Sequence, residues 1–256
     1  MEMSDTRYLA VAFASRSANG HLRPAVTEAA PEGAKVVRTR PDVVAAVFEV
    51  HGDIDPRSEG ERLRRLVAEE SDDPQVTAAV SGPKRGTTGA HLALIQAEQA
   101  VALERGNGRA GKTTHFEDLG PYRYVLGQPD SDIEAQADRA LGELAEDEER
   151  YGDLIKTLGS FIRLHGSVNA VARDLLLHRN TVRQRLRRIG QLTGADLSDP
   201  SDRLALQIAL IGREALQHLN QSRRVSPAAP VRGTPARATA SSSRGRRRAR
   251  RSRSRT

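Results

Sequence analysis

The sequence predicts an α+β sandwich domain at the N-terminus, an all-helical domain after it, and a disordered arginine-rich tail. Through the first 130 residues, short apolar runs of strand length alternate with helical patterns. Residues 131–220 show only the helical spacing of apolar residues, and residues 221–256 contain 12 Arg and no acidic residue. We therefore expect four segments, which are an α+β domain (1–130), a helical linker (131–150), a helical domain (151–220) and the tail (221–256).

Composition excludes several classes of protein. The chain has no cysteine, which rules out disulfides, thiolate metal sites and cysteine catalysis, and this suits a cytoplasmic protein. No apolar run approaches the ~18 residues of a membrane span, and the N-terminus lacks the features of a signal peptide. The net charge of +7 comes from the tail, because the other 220 residues carry 28 basic and 33 acidic groups. The basic pI is therefore no argument for nucleic-acid binding.

The N-terminal domain alternates strands and helices in an order that predicts an antiparallel, split-βαβ-like sheet. A turn at Arg40-Pro41-Asp42 separates its two middle strands. The expected strands are residues 8–14, a strand before the turn that contains Val36 and Val37, and residues 43–50, 76–81 and 113–116. The expected helices lie within 15–34, 58–70 and 90–104.

The helical part begins with an acidic helix that has one apolar side, residues 131–150. A second helix covers residues 153–165, and Ser167 is a suitable N-cap for the helix after it. Asp199 is expected to cap the last helix, which has Pro200 in its first turn and extends to about Leu219. Four of its residues are expected to face the core, namely Leu204, Ile208, Ile211 and Ala215.

The stretch from Ser167 to Gly194 predicts two short helices joined by a tight turn. It contains six Arg and one Asp. The apolar positions at helical spacing are Val168, Val171, Ala172 and Leu175 in the first helix and Val182, Leu186 and Ile189 in the second. Opposite the apolar face, the second helix carries basic and amide side chains. Such a helix pair, a helix-turn-helix, is suited to reading the major groove of double-stranded DNA.

Helical geometry separates the roles of these side chains. At about 100° per residue from Val182, Gln184 falls near 200°, on the side opposite the buried face. The residues expected to read base edges are Arg179, Asn180, Arg183 and Gln184, and those expected to contact phosphates are Thr181, Arg187 and Arg188. His178, at the turn, is interpreted either as a structural cap or as a cap that also touches a phosphate. Arg185 falls near 300° and is expected to pair with an acid such as Asp174 or Asp202.

From Gly152 to Leu216 the chain resembles the C-terminal domain of PucR/CdaR-type bacterial transcriptional regulators. The motif LxxHRNTVRxRLRRIxxLTG followed by DPxDRLALQ carries the resemblance. It implies a Fis-like helix-turn-helix fold and a non-enzymatic role in transcription. One departure is Gln184, where these proteins commonly have Tyr, so sequence preference is expected to differ there.

Residues 8–120 are similar to the GGDEF-like domain that precedes the helix-turn-helix in many of these regulators, mainly through a helix, a loop and the sequence HFEDLG. The turn between the middle strands reads RTRPDVV, without the Gly-Gly-acid-acid-Phe sequence of a diguanylate cyclase. We expect a degenerate domain without cyclase activity. The family's usual N-terminal sensing module is not recognised, which leaves open a shortened member, a fragment, or a signal that arrives otherwise.

Three alternatives remain at this stage. Gly106–Thr113, GNGRAGKT, matches the P-loop pattern, but a strand must precede that loop and a helix must follow it, and here the order is reversed. We favour a glycine-rich connector over a nucleotide sensor or enzyme. His51, Asp53 and Asp55 resemble a metal site but fit a solvated turn better. The tail alone would bind any polyanion non-specifically.

Double-stranded DNA is the expected partner. Because one module reads only a few base pairs, a homodimer is expected, with the α+β domain or residues 131–150 as its contact surface. A small-molecule effector is left open. We expect no catalytic residues, no cofactor and no metal site, and no association with a membrane.

Overall fold

The computed structural model describes residues 6–15 and 21–224. In this part of the chain, six strands form one sheet. They are β1 (Arg7–Ala14), β2 (Lys35–Arg40), β3 (Val43–Val50), β4 (Thr77–Val80), β5 (Lys84–Arg85) and β6 (Thr113–His115).

The strand order is β2-β3-β1-β4-β6, with β5 paired to β1. β1 lies antiparallel to both β3 and β4, so that Val11 is opposite Ala46 on one side and Val80 on the other. The first four strands in chain order therefore have the split-βαβ order that the sequence predicts. The prediction of a wholly antiparallel sheet is wrong at its edge, because β6 pairs with β4 in parallel. A long helix between β5 and β6 provides the crossover that a parallel pair requires.

Helices cover both faces of the sheet. They are α1 (Leu22–Ala29) and α2 (Pro56–Glu70) on one face and α3 (Gly86–Gly106) on the other. Side chains along β1 alternate between the faces, so Val11 packs with Leu63 of α2, and Ala12 packs in the cluster of Ala97 of α3. Small alanines at this second interface allow α3 to lie close to the sheet.

α2 begins two residues earlier than the sequence predicts. The carboxylate of Asp55 accepts hydrogen bonds from the backbone N–H groups of Arg57 and Ser58 and from the Ser58 hydroxyl. Pro56 occupies the first helical position, where a missing N–H costs nothing. Asp55 is thus an N-cap.

Two short 3-10 helices, Phe116–Asp118 and Gly120–Tyr124, follow β6, and six α-helices form the rest of the described chain. They are α4 (Asp130–Leu141), α5 (Glu143–Glu146), α6 (Glu148–Arg163), α7 (Val168–Asp174), α8 (Arg179–Thr193) and α9 (Pro200–Arg224). The predicted linker is therefore α4, α5 and the start of α6, and the predicted helix pair is α7 and α8. None of the helices in residues 6–15 and 21–224 is both long enough and apolar enough to cross a lipid bilayer.

α9 belongs to two hydrophobic clusters. Leu206 and Ala209 pack with Ile189 and Leu192 of α8, whereas Ala215 and Leu219 pack in the cluster between α3 and the sheet. α4 also contributes to both hydrophobic clusters. Ile133 packs in the cluster between α3 and the sheet, and Ala137 and Leu141 pack in the cluster with α8. The sheet domain and the helix pair are thus joined by two shared helices.

The inward face of α9 differs from the predicted one. Ala215 is buried as expected and Ile211 is partly buried, but Leu204 and Ile208 are 56% and 40% exposed. The buried stripe instead starts at Leu206, two residues on and about 200° around the helix. Apolar residues lie on both sides of this helix, so periodicity alone could not choose between them.

α9 also extends further than predicted, to Arg224 rather than about Leu219. The segment expected to be disordered therefore begins with four helical residues. Its remaining residues, 225–256, lie outside the described part of the chain.

Candidate DNA-binding surface

A Schellman motif forms the tight turn between α7 and α8. The backbone N–H of Leu177 donates to the carbonyl of Ala172 at 2.9 Å, and the N–H of Leu176 donates to that of Arg173 at 3.3 Å. Leu176 adopts the left-handed conformation, with φ of 54°, at the position where glycine is usual. Its side chain is 92% exposed, so it contributes nothing to the core.

Both helices of the pair begin with side-chain caps. The hydroxyl of Ser167 accepts a hydrogen bond from the backbone N–H of Ala170, as its N-cap position predicts. At the start of α8, Nδ1 of His178 accepts from the backbone N–H of Asn180 at 3.2 Å. The capping role considered for His178 is therefore present, and its ring remains exposed.

On the apolar side of α8, Val182 and Ile189 are fully buried and Leu186 is partly buried. Val182 packs with Val171 of α7 and Phe161 of α6, and Ile189 packs with Leu158 of α6. Because three buried contacts lie on one side, the rotation of α8 about its own axis is fixed. The opposite side is left facing solvent.

The predicted site residues lie on that solvent-facing side. Seven of the eight are exposed and Thr181 is half-buried. The exposed ones are His178, Arg179, Asn180, Arg183, Gln184, Arg187 and Arg188. Within the part of the chain that the structure describes, Arg179, Arg183, Arg187 and Arg188 take part in no ion pair. Their charge is therefore available to an external anion.

Some of the predicted DNA-binding residues contact one another. Nη1 of Arg183 donates to Oδ1 of Asn180 at 3.3 Å, so two expected base-reading residues are adjacent and partly ordered. Nη1 of Arg188 donates to Oε1 of Gln191 at 3.4 Å. Gln191, exposed and near 180° on the same face, was not among the predicted residues. The same calculation of helical angles, continued one turn beyond Arg188, places Gln191 on this face.

Arg185 is held away from the exposed face by an ion pair. Its Nη2 donates to Oδ2 of Asp153 at 2.8 Å, and its Nη1 lies 3.3 Å from the hydroxyl of the buried Thr157. The expectation that Arg185 pairs with an acid is right, but the suggested partners are wrong. Asp174 instead accepts hydrogen bonds from Ser160 and Arg163. Asp202, the other suggested partner, accepts a hydrogen bond from the backbone N–H of Asp196 in the loop after α8.

The loop after α8 adds one negative charge beside the basic face. Arg183 and Arg187 line a shallow groove together with Ala195, Asp196 and Leu197. Hydrogen bonds from the Ser198 hydroxyl and backbone N–H lower the pKa of Asp196, so it is charged at neutral pH. An approaching phosphate would therefore be attracted to the arginines and repelled from this end of the groove.

The glycine-rich segment Gly106–Thr113 has a structural explanation. As the sequence order suggested, it begins at the last residue of helix α3 and ends at the first residue of strand β6, which is the reverse of a P-loop. A Cβ on Gly106 would lie 2.6 Å from Cβ of His218, so glycine there lets α3 contact α9 closely. Gly111 has a φ of 69° and lies against the carbonyl oxygen of Pro74. These packing roles disfavour a nucleotide site.

Comparison with known proteins points to one kind of domain. Residues 154–211 match the model of the PucR C-terminal helix-turn-helix domain. An uncharacterized protein of Thermomonospora curvata is 34% identical over 133 residues, which cover 52% of this chain and 71% of the relative. The carbohydrate diacid regulator of Escherichia coli is 44% identical over 59 residues, which are 23% of this chain and 15% of that protein.

Other relatives are considerably longer than the matched region. Uncharacterized proteins of Mycobacterium tuberculosis are 31% identical over 150 residues, 57% of this chain, and the chain spans about a third (34%) of their length. A solved structure, a regulator of polyketide synthase expression from Bifidobacterium adolescentis, aligns at 24% identity with a TM-score of 0.38. That alignment covers 82% of this chain and 85% of the other.

Proposed function

Because the chain belongs to the PucR/CdaR-type family of bacterial transcriptional regulators, we propose that it is a sequence-specific, DNA-binding regulator that reads the major groove with α8. The observation that carries this proposal is the two-sided character of α8. One side is fixed by Val182 and Ile189 in the core, and the other exposes amides together with arginines that form no ion pair within the described residues.

The residue roles follow from position along α8. Arg179, Asn180, Arg183 and Gln184 lie in its first two turns, where side chains of such helices usually reach base edges. Arginine suits guanine, and asparagine or glutamine suits adenine, because each can form two hydrogen bonds to the base. Three further residues are assigned to phosphate contacts, namely Thr181, Arg187 and Arg188. His178 caps α8 and is assigned one phosphate contact as well.

The remaining segments are proposed to support this DNA-binding function. Residues 1–130 form a degenerate GGDEF-like domain without catalytic activity, residues 131–150 join it to the DNA-binding domain (151–220), and the protein acts as a homodimer in the cytoplasm, where its DNA target lies. The dimer is supported by the small number of base pairs that one helix can read. A small-molecule effector would act through the α+β domain.

Selection of preferred DNA sites from a random pool tests the proposal. The full chain is compared with a chain ending at Arg224, the last residue of α9. The same sequence should be enriched by both, with lower affinity and a weaker salt dependence for the shortened chain. Enrichment of no sequence by either chain would remove the proposed function. If DNA is enriched only by the chain that contains residues 225–256, the result would favour a nucleic-acid-binding protein that acts through its arginine-rich tail.

A further inference from the structure

Arg40 is a buried arginine at the end of β2, in the turn where a cyclase would carry its signature sequence. Its side chain is only 4% exposed. Nε donates to Oε1 of Glu98 at 2.5 Å, Nη1 donates to the carbonyl oxygen of Leu219 at 3.0 Å, and Nη2 donates to Oδ2 of Asp130 at 3.3 Å. A guanidinium buried without partners would be costly, and here each of its nitrogens has one.

The three acceptors belong to three different helices. Glu98 lies in α3, Asp130 is the first residue of α4, and Leu219 is close to the end of α9. Gln99, next to Glu98, reinforces the junction by donating to Oδ1 of Asp130 at 2.9 Å. Asp42, in the same turn, forms a second buried ion pair with Arg105 of α3. The β2–β3 turn is thus occupied by contacts within the chain.

α4 and α9 contribute, together with α6 and α7, to the packing around α8. Leu206 of α9 and Leu141 of α4 pack in the same cluster as Ile189 and Leu192 of α8. Arg40 holds the opposite ends of both helices, at the sheet domain. Leu219 and Leu206 are 13 residues apart on α9, about 20 Å along the helix axis, so a rotation at the Arg40 end is transmitted to the residues that pack with α8.

We propose that Arg40 is a positioning residue for DNA binding, which sets the orientation of α8 by clamping the far ends of α4 and α9 to α3. This rests on the proposed function. The guanidinium suits the role because its donors are fixed in one plane and reach three acceptors at once. Lysine would keep the charge but not this geometry, and methionine would keep only the length.

The test compares full chains carrying Arg40→Met and Arg40→Lys with the unmodified chain, at a temperature where all are folded by circular dichroism. Affinity for the selected DNA site is expected to fall about tenfold in Arg40→Met and less in Arg40→Lys, in line with typical couplings between sites. In the free proteins, amide hydrogen exchange should become faster at the start of α4 and at Ala215–Leu219 of α9.

Val26→Ala is the matched control, because Val26 is buried in the same domain on the opposite face of the sheet. It should lower stability while leaving DNA affinity unchanged. The proposal is overturned if Arg40→Met binds the site as tightly as the unmodified chain, or if Val26→Ala weakens binding equally. Failure of the unmodified chain to select any site is a different result, and it counts against the proposed function itself. If no site is selected, amide hydrogen exchange still tests the role of Arg40: exchange rates in α4 and α9 that are the same in Arg40→Met and in the unmodified chain would overturn the proposed positioning role as well.

Discussion

Arg185 of α8 and Asp153 of α6 form an ion pair with 2.8 Å between Nη2 and Oδ2. This arginine has the same charge as its neighbours on α8 but points toward the protein. The arginines of this helix therefore divide into one that is held in an ion pair, Arg185, and four that are exposed and form no ion pair within the described residues.

Arg185→Ala should lower the free energy of unfolding by about 1 kcal/mol and leave the ranking of DNA sequences unchanged. The side chain of Arg185 is 24% exposed and that of Asp153 is 69% exposed, so solvent screens the pair. Urea unfolding and competition binding measure the two effects. Asp153→Ala and the double variant complete a thermodynamic cycle. A change in base preference without a loss of stability would place Arg185 in the DNA interface.

Gln184→Ala should reduce discrimination between the preferred site and its single-base variants by about 1–3 kcal/mol. The reason is the loss of a paired amide contact to one base edge. Affinities for a panel of sites with each base replaced measure the effect. Gln136→Ala is the control, since Gln136 is an exposed amide on α4, away from the exposed face of α8. If Gln184→Ala weakens every sequence equally, Gln184 does not read a base.

Arg187→Ala should weaken binding to all DNA sequences and flatten the dependence of affinity on salt. Each phosphate contact contributes about 0.9 to the slope of log K against log salt concentration, so the slope should become less negative by about that amount. Arg62→Ala provides a control, because Arg62 lies on α2 and pairs with Glu59 there. An unchanged slope in Arg187→Ala would exclude Arg187 from the phosphate contacts.

Gly142→Ala should destabilise the protein by about 2–4 kcal/mol. Gly142 joins α4 to α5 with φ of 54° and ψ of −135°, and a Cβ there would lie 2.6 Å from the carbonyl oxygen of Leu192 in α8. Thermal and urea unfolding measure the loss. Gly152→Ala, within α6 where a Cβ meets nothing within 4 Å, should instead stabilise by up to about 1 kcal/mol. Equal effects of the two substitutions would contradict the structure around Gly142.

Acid should weaken the contribution of Glu61 to stability. Hydrogen bonds from Arg64, and also from Thr113 and Arg65, lower the pKa of Glu61 to about 2, although desolvation opposes this. Because the folded pKa lies below the unfolded one, the stabilisation is complete above about pH 5 and is lost as pH falls toward 2. Glu61 is one-third exposed, so we expect a screened effect of about 1 kcal/mol for Glu61→Gln at pH 7.

Urea unfolding of Glu61→Gln and the unmodified chain at pH 7 and pH 2.5 measures this difference. It should shrink at the lower pH. Glu69→Gln, on the same helix, serves as a control that should show little difference at either pH. A difference for Glu61→Gln that persists at pH 2.5 would mean that the side chain acts through its shape and not through its charge.

Local patterns were sufficient to predict the parts of the fold that depend on neighbouring residues. Five of the six strands, the N-caps Ser167 and Asp199, and the buried positions Val182 and Ile189 follow from periodicity or capping chemistry, whereas the two-residue strand β5 was not predicted. The outward side of α8 follows too, because one buried stripe leaves only one face for solvent.

Long-range relationships were not predictable in the same way. Leu204 and Leu206 are both apolar, and only the position of α4 and α8 around α9 decides that Leu206 is the buried one. The partner of Arg185 depends on how α6 lies beside α8, which no spacing in the sequence encodes. Nor does any local pattern bring Arg40 to Leu219, because these residues are 179 positions apart.

Because α4 and α9 are shared between two hydrophobic clusters, the helix-turn-helix domain cannot simply be cut from this chain and joined to another protein. A helix-turn-helix cut out at residue 151 would leave behind Ala137 and Leu141, which complete its core. It would also carry Ala215 and Leu219 without the α3 surface that covers them. A transplant onto another sensor would therefore need α4 and α9 whole, and a new host surface for their far ends.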